Sequence, residues 1–440
     1  MNRTLKRPMF RIGGSAGTGI TSGLDQPRKQ YAQGSEDRFM ELVAELREQG
    51  FTQQEAIPIM GIENAISVMN SGKLHRYNTD EGEISITSQL EVLFSKWQGA
   101  KYCLACTSGG VAIQLALRSS GVKPGDKVLA NAFTLAPVPG AIENVGAKAV
   151  LIDINDNFHI DLNDLELKAK SSGSKFLLLS HMRGHMTNMS KLVNLCNSLN
   201  IKIIEDCAHT MGAKWAGKRS GNFGVVSAFS TQTYKHINSG EGGFLTTDND
   251  EIIAKAIIHS GSYMLYGRHA SSPSENIFDQ VKLETANFSG RMDNLRSSIL
   301  IPQLEELDKK VTQWNKLYNV LNDNLKKQNG IFFPNRDNDE YFVGSSIQFR
   351  IDSLNNEQIK SFINNCKARG VDLKWFGDEK PVAYTSRYDS WKYLDNIPRL
   401  ANTLRILAKT FDMRIPLTFT VQDCNIISKI IIEELQKVQN

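Results

Sequence analysis

Fifty-one basic residues against 47 acidic ones leave this 440-residue chain with a formal charge of only +4, and a hydrophobic content of 41% is enough to bury a large core. So small and dispersed a charge gives no electrostatic footprint for nucleic acid or an anionic membrane. Six cysteines (Cys103, Cys106, Cys196, Cys207, Cys366 and Cys424) are too sparse for a disulfide scaffold and point to a reducing cytoplasm.

The basic start, Met1 to Arg7, is not followed by an apolar stretch, and no run of about eighteen apolar residues occurs, so neither export nor membrane insertion is expected. Residues 1–35 are rich in Gly, Ser, Gln and Arg without apolar periodicity, the pattern of a mobile arm. Gly13 to Gly19 has the glycines of a phosphate loop, but no strand precedes it and no Gly-Lys-Ser/Thr ending follows, so a linker is the better reading. Helical spacing begins near Glu36, with Phe39, Leu42, Val43 and Leu46 on one face, and predicts a second helix over Ile59 to Met69.

From Tyr102 to about Asp248, short apolar strands alternate with helices. Strands are expected at 102–106, 127–130, 149–153, 176–180 and 201–206, with helices at 111–119 and 189–199 between them. That order predicts an α/β fold of three layers, a mainly parallel sheet covered on both faces, with ligands beyond the carboxyl ends of its strands. Cys103 and Cys106 form a Cys-x-x-Cys pair, but on a strand the two face opposite ways, so no metal is assigned to them. A long helix is expected from Met292 to about Lys327, kinked at Pro302. Strand-like Ser345 to Ile351, a helix near Asn356 to Arg369 and a terminal helix from Gln422 read as a smaller C-terminal α+β domain.

Three positions at the predicted strand ends carry chemistry. Thr107-Ser108-Gly109-Gly110-Val111 follows a strand and opens a helix, so its backbone N–H groups suit an anion such as phosphate; a tight turn with an N-cap is the competing reading. Asp206 ends a buried strand, where a carboxylate needs a cation or serves as a helix cap; a protonated pyridine nitrogen is a suitable partner. Lys235 lies between apolar Ala228-Phe229 and the turn Ser239-Gly240-Glu241-Gly242-Gly243, where burial lowers an amine's pKa and leaves a nucleophile fit for a Schiff base.

This order, together with Val122-Lys123-Pro124-Gly125-Asp126, Ile204-Glu205-Asp206-Cys207-Ala208-His209, Gly240-Glu241-Gly242-Gly243 and Met292-Asp293-Asn294-Leu295-Arg296, resembles the DegT/DnrJ/StrS sugar aminotransferases from about Ile62 onward. The resemblance implies the pyridoxal 5'-phosphate-dependent transferase fold (fold type I). It also implies an arm over 1–35, a helical segment over 36–75, a large cofactor domain over 76–300, and a linker helix with a small domain over 301–440. By the same resemblance Lys235 holds the cofactor and shuttles the proton, and Asp206 pairs with the pyridine nitrogen. His209 sits by the ring, although a core histidine is the alternative. Ser230, Ser108, Gly109 and Gly110 hold the phosphate.

Departures from the family pattern carry expectations too. Gly110 replaces a threonine, removing a hydroxyl from the phosphate turn. Leu135 replaces an aromatic that stacks on the ring. Ser289 replaces an asparagine that reaches across a subunit interface, whereas Arg291 is retained there. The family completes each site from a second subunit, which implies a homodimer with shared active sites. His181-Met182-Arg183-Gly184 with Arg76-Tyr77-Asn78 is similar to the branch that aminates an 8-keto octulosonate, making Tyr77 and Arg183 substrate-facing or structural. The implied reaction transfers an amino group, with glutamate as donor, to a keto sugar. One alternative is a dehydratase of the same family, which has histidine at the lysine position; His236 adjoins Lys235 and is thereby a further candidate for contact with substrate. A non-catalytic sugar-binding relative is the other.

Overall fold

A computed structural model describes residues 55–380 and 387–439. The expected arm and the helix starting at Glu36 lie outside the described residues. Two helices lead into the body, α1 (Ile59–Ser71) and α2 (Ile86–Gln98). Strand β1 (Tyr102–Cys106), α3 (Gly109–Ser119), β2 (Lys127–Asn131), α4 (Pro137–Asn144), β3 (Lys148–Ile152), α5 (Leu162–Ser172), β4 (Phe176–Ser180), α6 (Met189–Ser198) and β5 (Lys202–Asp206) then alternate. A small hairpin of β6 (Lys214–Trp215) and β7 (Lys218–Arg219) precedes β8 (Val226–Ser230) and β9 (Gly243–Thr247).

The main sheet has the order β1-β9-β8-β5-β4-β2-β3. Pairings β2/β3, β2/β4, β4/β5 and β5/β8 are parallel, while β9 runs antiparallel to both of its neighbours. The carboxyl ends of β1, β2, β4, β5 and β8 therefore share one edge. Alternation along each strand divides the apolar residues between two layers. Cys103, Leu129, Leu177, Ile203 and Phe229 pack beneath α2 and α6, whereas Cys106, Val128, Leu178, Ile204 and Ala228 pack beneath α3. Cys103 and Cys106 thus stand on opposite faces, as a strand requires.

Past β9 come α7 (Asp250–Ser260), α8 (Glu275–Val281), α9 (Asn294–Glu305) and α10 (Leu307–Leu325). The expected long helix is divided, but at Glu306 and not at Pro302, which lies inside α9. Proline removes the N–H that would have bonded the Ser298 carbonyl. Asn64 of α1 donates to that oxygen at 3.4 Å, so the helix continues through the proline.

After β10 (Glu340–Tyr341), which joins the β6/β7 hairpin, a second sheet forms from β11 (Ser346–Arg350), β12 (Lys374–Trp375) and β13 (Thr410–Arg414) in the order β11-β13-β12. With α10, α11 (Asn356–Ala368) and α13 (Val421–Gln439) it encloses its own apolar cluster, including Leu321, Phe349, Phe362, Phe411 and Ile431. Helix α12 (Ala401–Leu407) leads into β13, which runs back toward the main sheet and delivers Asp412 and Arg414 to its carboxyl edge. Among the described residues no helix is long and apolar enough to cross a membrane.

Candidate active site

Lys235 lies in the loop between β8 and β9, and local hydrogen bonds fix that loop. Thr231 and Thr233 donate to the Gly242 and Gly240 carbonyls at 2.9 and 3.1 Å, and Lys235 N–H donates to Gln232 at 2.8 Å. Gln303 of α9 clamps Asn238 from the other side through both backbone polar groups. Gly242 has φ +155°, and a Cβ there would fall 2.3 Å from Thr231 Oγ1, so the turn needs glycine.

The amine of Lys235 is 2.8 Å from His209 Nε2. His209 Nδ1 accepts the backbone N–H of Arg183 at 3.2 Å, which assigns the ring proton to Nε2. Nε2–H then donates to the lone pair of Nζ, so this geometry describes a neutral amine. Burial, with the charge of Arg183 and then Arg414 and against the pull of Asp206, pushes the Lys235 pKa down to about 7. His209 is held well below the usual histidine value, by burial first and then by the charges of Lys235 and Arg183.

Asp206 closes β5 at the same edge. Ser180, its register partner on β4, donates through Oγ to Asp206 Oδ2 at 2.7 Å, and Ala208 N–H donates to Oδ1 at 3.1 Å. Thr134 Oγ1 in turn donates to Ser180 Oγ at 2.8 Å. A chain of two hydroxyls thus holds a buried carboxylate beside His209. Leu135 follows Thr134 and packs against the cluster of Phe133, Met182 and Phe376.

The anion turn is brought alongside by β9. Gly243 pairs with both Cys106 and Ser230, which places the start of α3 against the end of β8. A Cβ on Gly109 would lie 2.7 Å from the Ser230 Cβ, so only glycine permits this approach. Ser108 caps α3 by accepting Val111 N–H at 3.1 Å, which leaves its own O–H to donate. The N–H groups of Gly109 and Gly110 stand in the first helical turn, where no intrahelical acceptor exists. Arg291 borders the turn through a bridge to Cys106, and its guanidinium reaches His75, the Gly261 carbonyl and the Tyr263 ring.

Of the other residues singled out in the sequence, Tyr77 is set apart from Lys235, whereas Arg183 and His236 adjoin it and turn their side chains to other partners. Tyr77 is buried, with its hydroxyl 2.7 Å from His269 Nε2 beside the buried Arg76–Glu91 ion pair, a packing position in this chain. Arg183 has φ +55° and turns its side chain to Asp412 at 2.8 Å. His236 turns its ring to Trp314 and Ser345, and burial pushes its pKa down to about 3. Lys235, and not its neighbour, is the side chain that meets His209.

Sequence reasoning passed over Ser180, Thr134, Arg414 and the role of Glu205. Ser180 ends a predicted strand, so aligning strand ends would have set it beside Asp206; Arg414 carries no such signal. Buried Glu205 accepts the N–H groups of Gly221, Phe223 and Gly224 at 2.9, 2.7 and 2.7 Å and faces His181 at 3.1 Å. His181, Glu205 and Cys207 converge with their ligand atoms within 4.8 Å of one another, but three backbone donors already use the carboxylate as an anchor for the loop before β8.

Residues 62–430 match the model of the DegT/DnrJ/EryC1/StrS aminotransferase family. The chain belongs to that family. GDP-perosamine synthase of Caulobacter vibrioides is 31% identical over 221 residues, 50% of this chain and 56% of that protein. The 3-amino-5-hydroxybenzoate synthase of Amycolatopsis mediterranei is 26% identical over 313 residues, 70% of this chain and 76% of that one. The chain spans about half the length of the first curated relatives it matches. A crystal structure of 3-amino-5-hydroxybenzoic acid synthase superposes with a TM-score of 0.76 at 22% identity, covering 88% of this chain and 99% of the other. The fold is accordingly that of the pyridoxal phosphate-dependent aminotransferases.

Proposed function

We propose that the chain is a pyridoxal phosphate-dependent aminotransferase that moves an amino group, with glutamate as donor, onto a keto sugar. The observation that carries this reading is the neutral amine of Lys235, 2.8 Å from His209 and on the strand edge that bears Asp206.

The residues fit the cofactor. Gly109, where a Cβ would meet Ser230, leaves a glycine-lined cradle at a helix N-terminus for the phosphate, with Ser108, Gly110 and Ser230 around it. Asp206 is the buried carboxylate for the ring nitrogen, and Lys235 is the amine for the covalent link. When bound, pyridoxal phosphate supplies the carbonyl carbon that takes the amino group and an electron-withdrawing ring.

The chain's own groups do the rest. Nζ of Lys235, with its pKa pushed down to about 7 and so in good part uncharged at neutral pH, can take a proton from a substrate carbon and return it. His209 orients that amine through Nε2–H, and Arg183 fixes the tautomer from behind. The Thr134–Ser180 pair fixes the orientation of the Asp206 carboxylate.

Relatives named for perosamine and aminohydroxybenzoate synthesis support a cyclic keto acceptor, with the sugar favoured by the family. We propose a homodimer with shared sites as well. Exposed Tyr263, Met264 and Phe288 adjoin Arg291 near the phosphate turn, an apolar surface that suits an interface. A visible spectrum with and without glutamate tests the function. The purified protein should absorb in the visible, glutamate should bleach that band, a keto sugar should restore it, and Lys235→Ala should remove the response.

A further inference from the structure

Arg183 is not a glycine, yet its backbone is left-handed at φ +55°, a conformation that persists only where the surroundings over-determine it. The front of its turn is fixed by β5 and the segment that follows. His181 N–H donates to the Asp206 carbonyl at 3.1 Å. A Cβ on Gly184 would lie 3.3 Å from the His209 carbonyl oxygen, so the turn is pressed against the backbone of the histidine it serves.

The second sheet grips the back of the same turn. Gln348 of β11 and Asp412 of β13 are register partners in an antiparallel pair, so their side chains leave one face side by side. Asp412 Oδ2 meets Arg183 Nη2 at 2.8 Å, and Asp412 Oδ1 accepts Gln348 Nε2 at 2.7 Å. A carboxylate only accepts, so the Gln348 NH2 faces it and the amide oxygen turns the other way, to His185 Nε2 at 2.7 Å. That oxygen also only accepts, which assigns the His185 proton to Nε2. The other N–H of Gln348 goes to Ser346 Oγ at 2.9 Å.

Arg183, Asp412, Gln348 and His185 therefore close a ring, because residues 183 and 185 belong to one turn. All four are buried. Burial, and after it the charge of Arg336, holds His185 well below the usual histidine value, so it stays the neutral donor that the ring requires. A buried network of this kind fixes a single geometry, and removing one member loosens the rest. The ring reaches Lys235 by one route on the page, the Arg183 N–H and then His209.

We infer that Gln348 is a positioning residue for the reaction at Lys235. By joining Asp412 to His185 it holds the Arg183 turn in its left-handed form and keeps the Arg183 N–H on His209 Nδ1. It thereby selects the His209 tautomer that orients the lysine amine. The inference rests on the aminotransferase reading only where turnover is measured.

The tautomer can be read without cofactor or substrate. Nitrogen NMR of the cofactor-stripped protein carrying isotope-labelled histidine, with the His209 signals identified by their loss in His209→Asn, should show Nε2–H as the single form in the parent. Gln348→Met keeps the size of the side chain and removes both contacts. It should mix the two tautomers and, in the loaded enzyme, lower kcat about tenfold, the loss of one hydrogen bond to a charged group, with KM for glutamate changed less than about twofold. His185→Gln sets an NH2 where Nε2–H stood and should stay near the parent, whereas His185→Leu should follow Gln348→Met; this pair keeps the test available if Gln348→Met fails to fold. A single Nε2–H tautomer in Gln348→Met, mixed tautomers with the parent's kcat, or equal losses in His185→Gln and His185→Leu overturns the inference. A parent that does not turn over glutamate removes the aminotransferase reading, and the NMR comparison then still decides whether Gln348 sets the tautomer.

Discussion

Arg183 meets His209 through its main chain and Asp412 through its side chain, so one residue joins the Lys235 site to the second sheet. Its φ of +55° makes this possible, since the left-handed turn aims the N–H at the imidazole while the guanidinium turns toward β13. The second sheet thereby takes part in setting the protonation of a lysine that belongs to the first.

That coupling gives a pH dependence. Protein stripped of cofactor should recombine with pyridoxal phosphate at a rate that rises with pH through a midpoint at about 7 and levels off beyond it, once Nζ of Lys235 is neutral. Because the folded pKa lies below the unfolded value, the folded state binds fewer protons between the two, and this group makes stability rise with pH from about 7 toward the ordinary lysine range. Asp412→Asn leaves the Arg183 charge uncompensated and should shift the midpoint of the recombination profile to lower pH. Stopped-flow absorbance across pH 5–9, a range of about two units either side of that midpoint, gives the profile.

The two glycines of the phosphate turn should respond in opposite ways. Gly109→Ala places a Cβ 2.7 Å from the Ser230 Cβ and should weaken cofactor binding by about tenfold or more, with a helix start pushed away from β8. At Gly110 the nearest atoms to an added Cβ are 3.8 and 3.9 Å away, so a side chain fits. Gly110→Thr adds a hydroxyl at the phosphate cradle and removes the backbone entropy of a helical glycine, a gain of about 0.5 kcal/mol in stability. Equilibrium dialysis of the cofactor and thermal melts of both variants decide the matter.

The parallel strands were legible because residues buried on both faces read as continuous apolar runs, and their ends fall within a residue or so of the observed bounds. Reversal of β9 was not legible, since antiparallel and parallel buried strands share one composition and only the chain's return along β8 sets the direction. Asp206 and Lys235 stood out by their place at strand ends, whereas Arg414 is a half-buried charge closing a buried strand, and its partners come from distant elements. The break after α9 was misplaced because proline is read as a helix breaker. Asn64, from a helix more than two hundred residues earlier, supplies the missing donor and is invisible locally.

Ser180 should matter to catalysis without touching substrate. Ser180→Ala removes the donor to Asp206 Oδ2 and leaves Thr134 without its acceptor, a change of about 1–3 kcal/mol for a hydrogen bond to a charged group. The carboxylate is then held by one donor fewer, so the position of the visible band should change and kcat should fall by about tenfold or more with a smaller change in KM. Thr134→Val removes only the outer hydroxyl and should give the same spectral change at reduced size. An unaltered band in Ser180→Ala would show that Asp206 is held by Ala208 alone.

Glu205 supplies a test of stability as distinct from chemistry. Burial raises its pKa, but His181 and the N–H groups of Gly221 and Gly224 outweigh burial and hold the carboxyl below its usual range. The stabilisation is therefore present at neutral pH and lost as pH falls through the lowered folded value. Glu205→Ala leaves three buried N–H donors without an acceptor and should cost about 3 kcal/mol or more, with the loop before β8, and so the approach of Lys235, loosened. Glu205→Gln retains an acceptor oxygen but sets an NH2 group against backbone donors, so it should recover only part of the loss. Chemical denaturation at about pH 7.5 and again at about pH 3.5, below the ordinary glutamate value, with the difference between parent and variants shrinking at the lower pH, separates this carboxylate's contribution from a general packing defect.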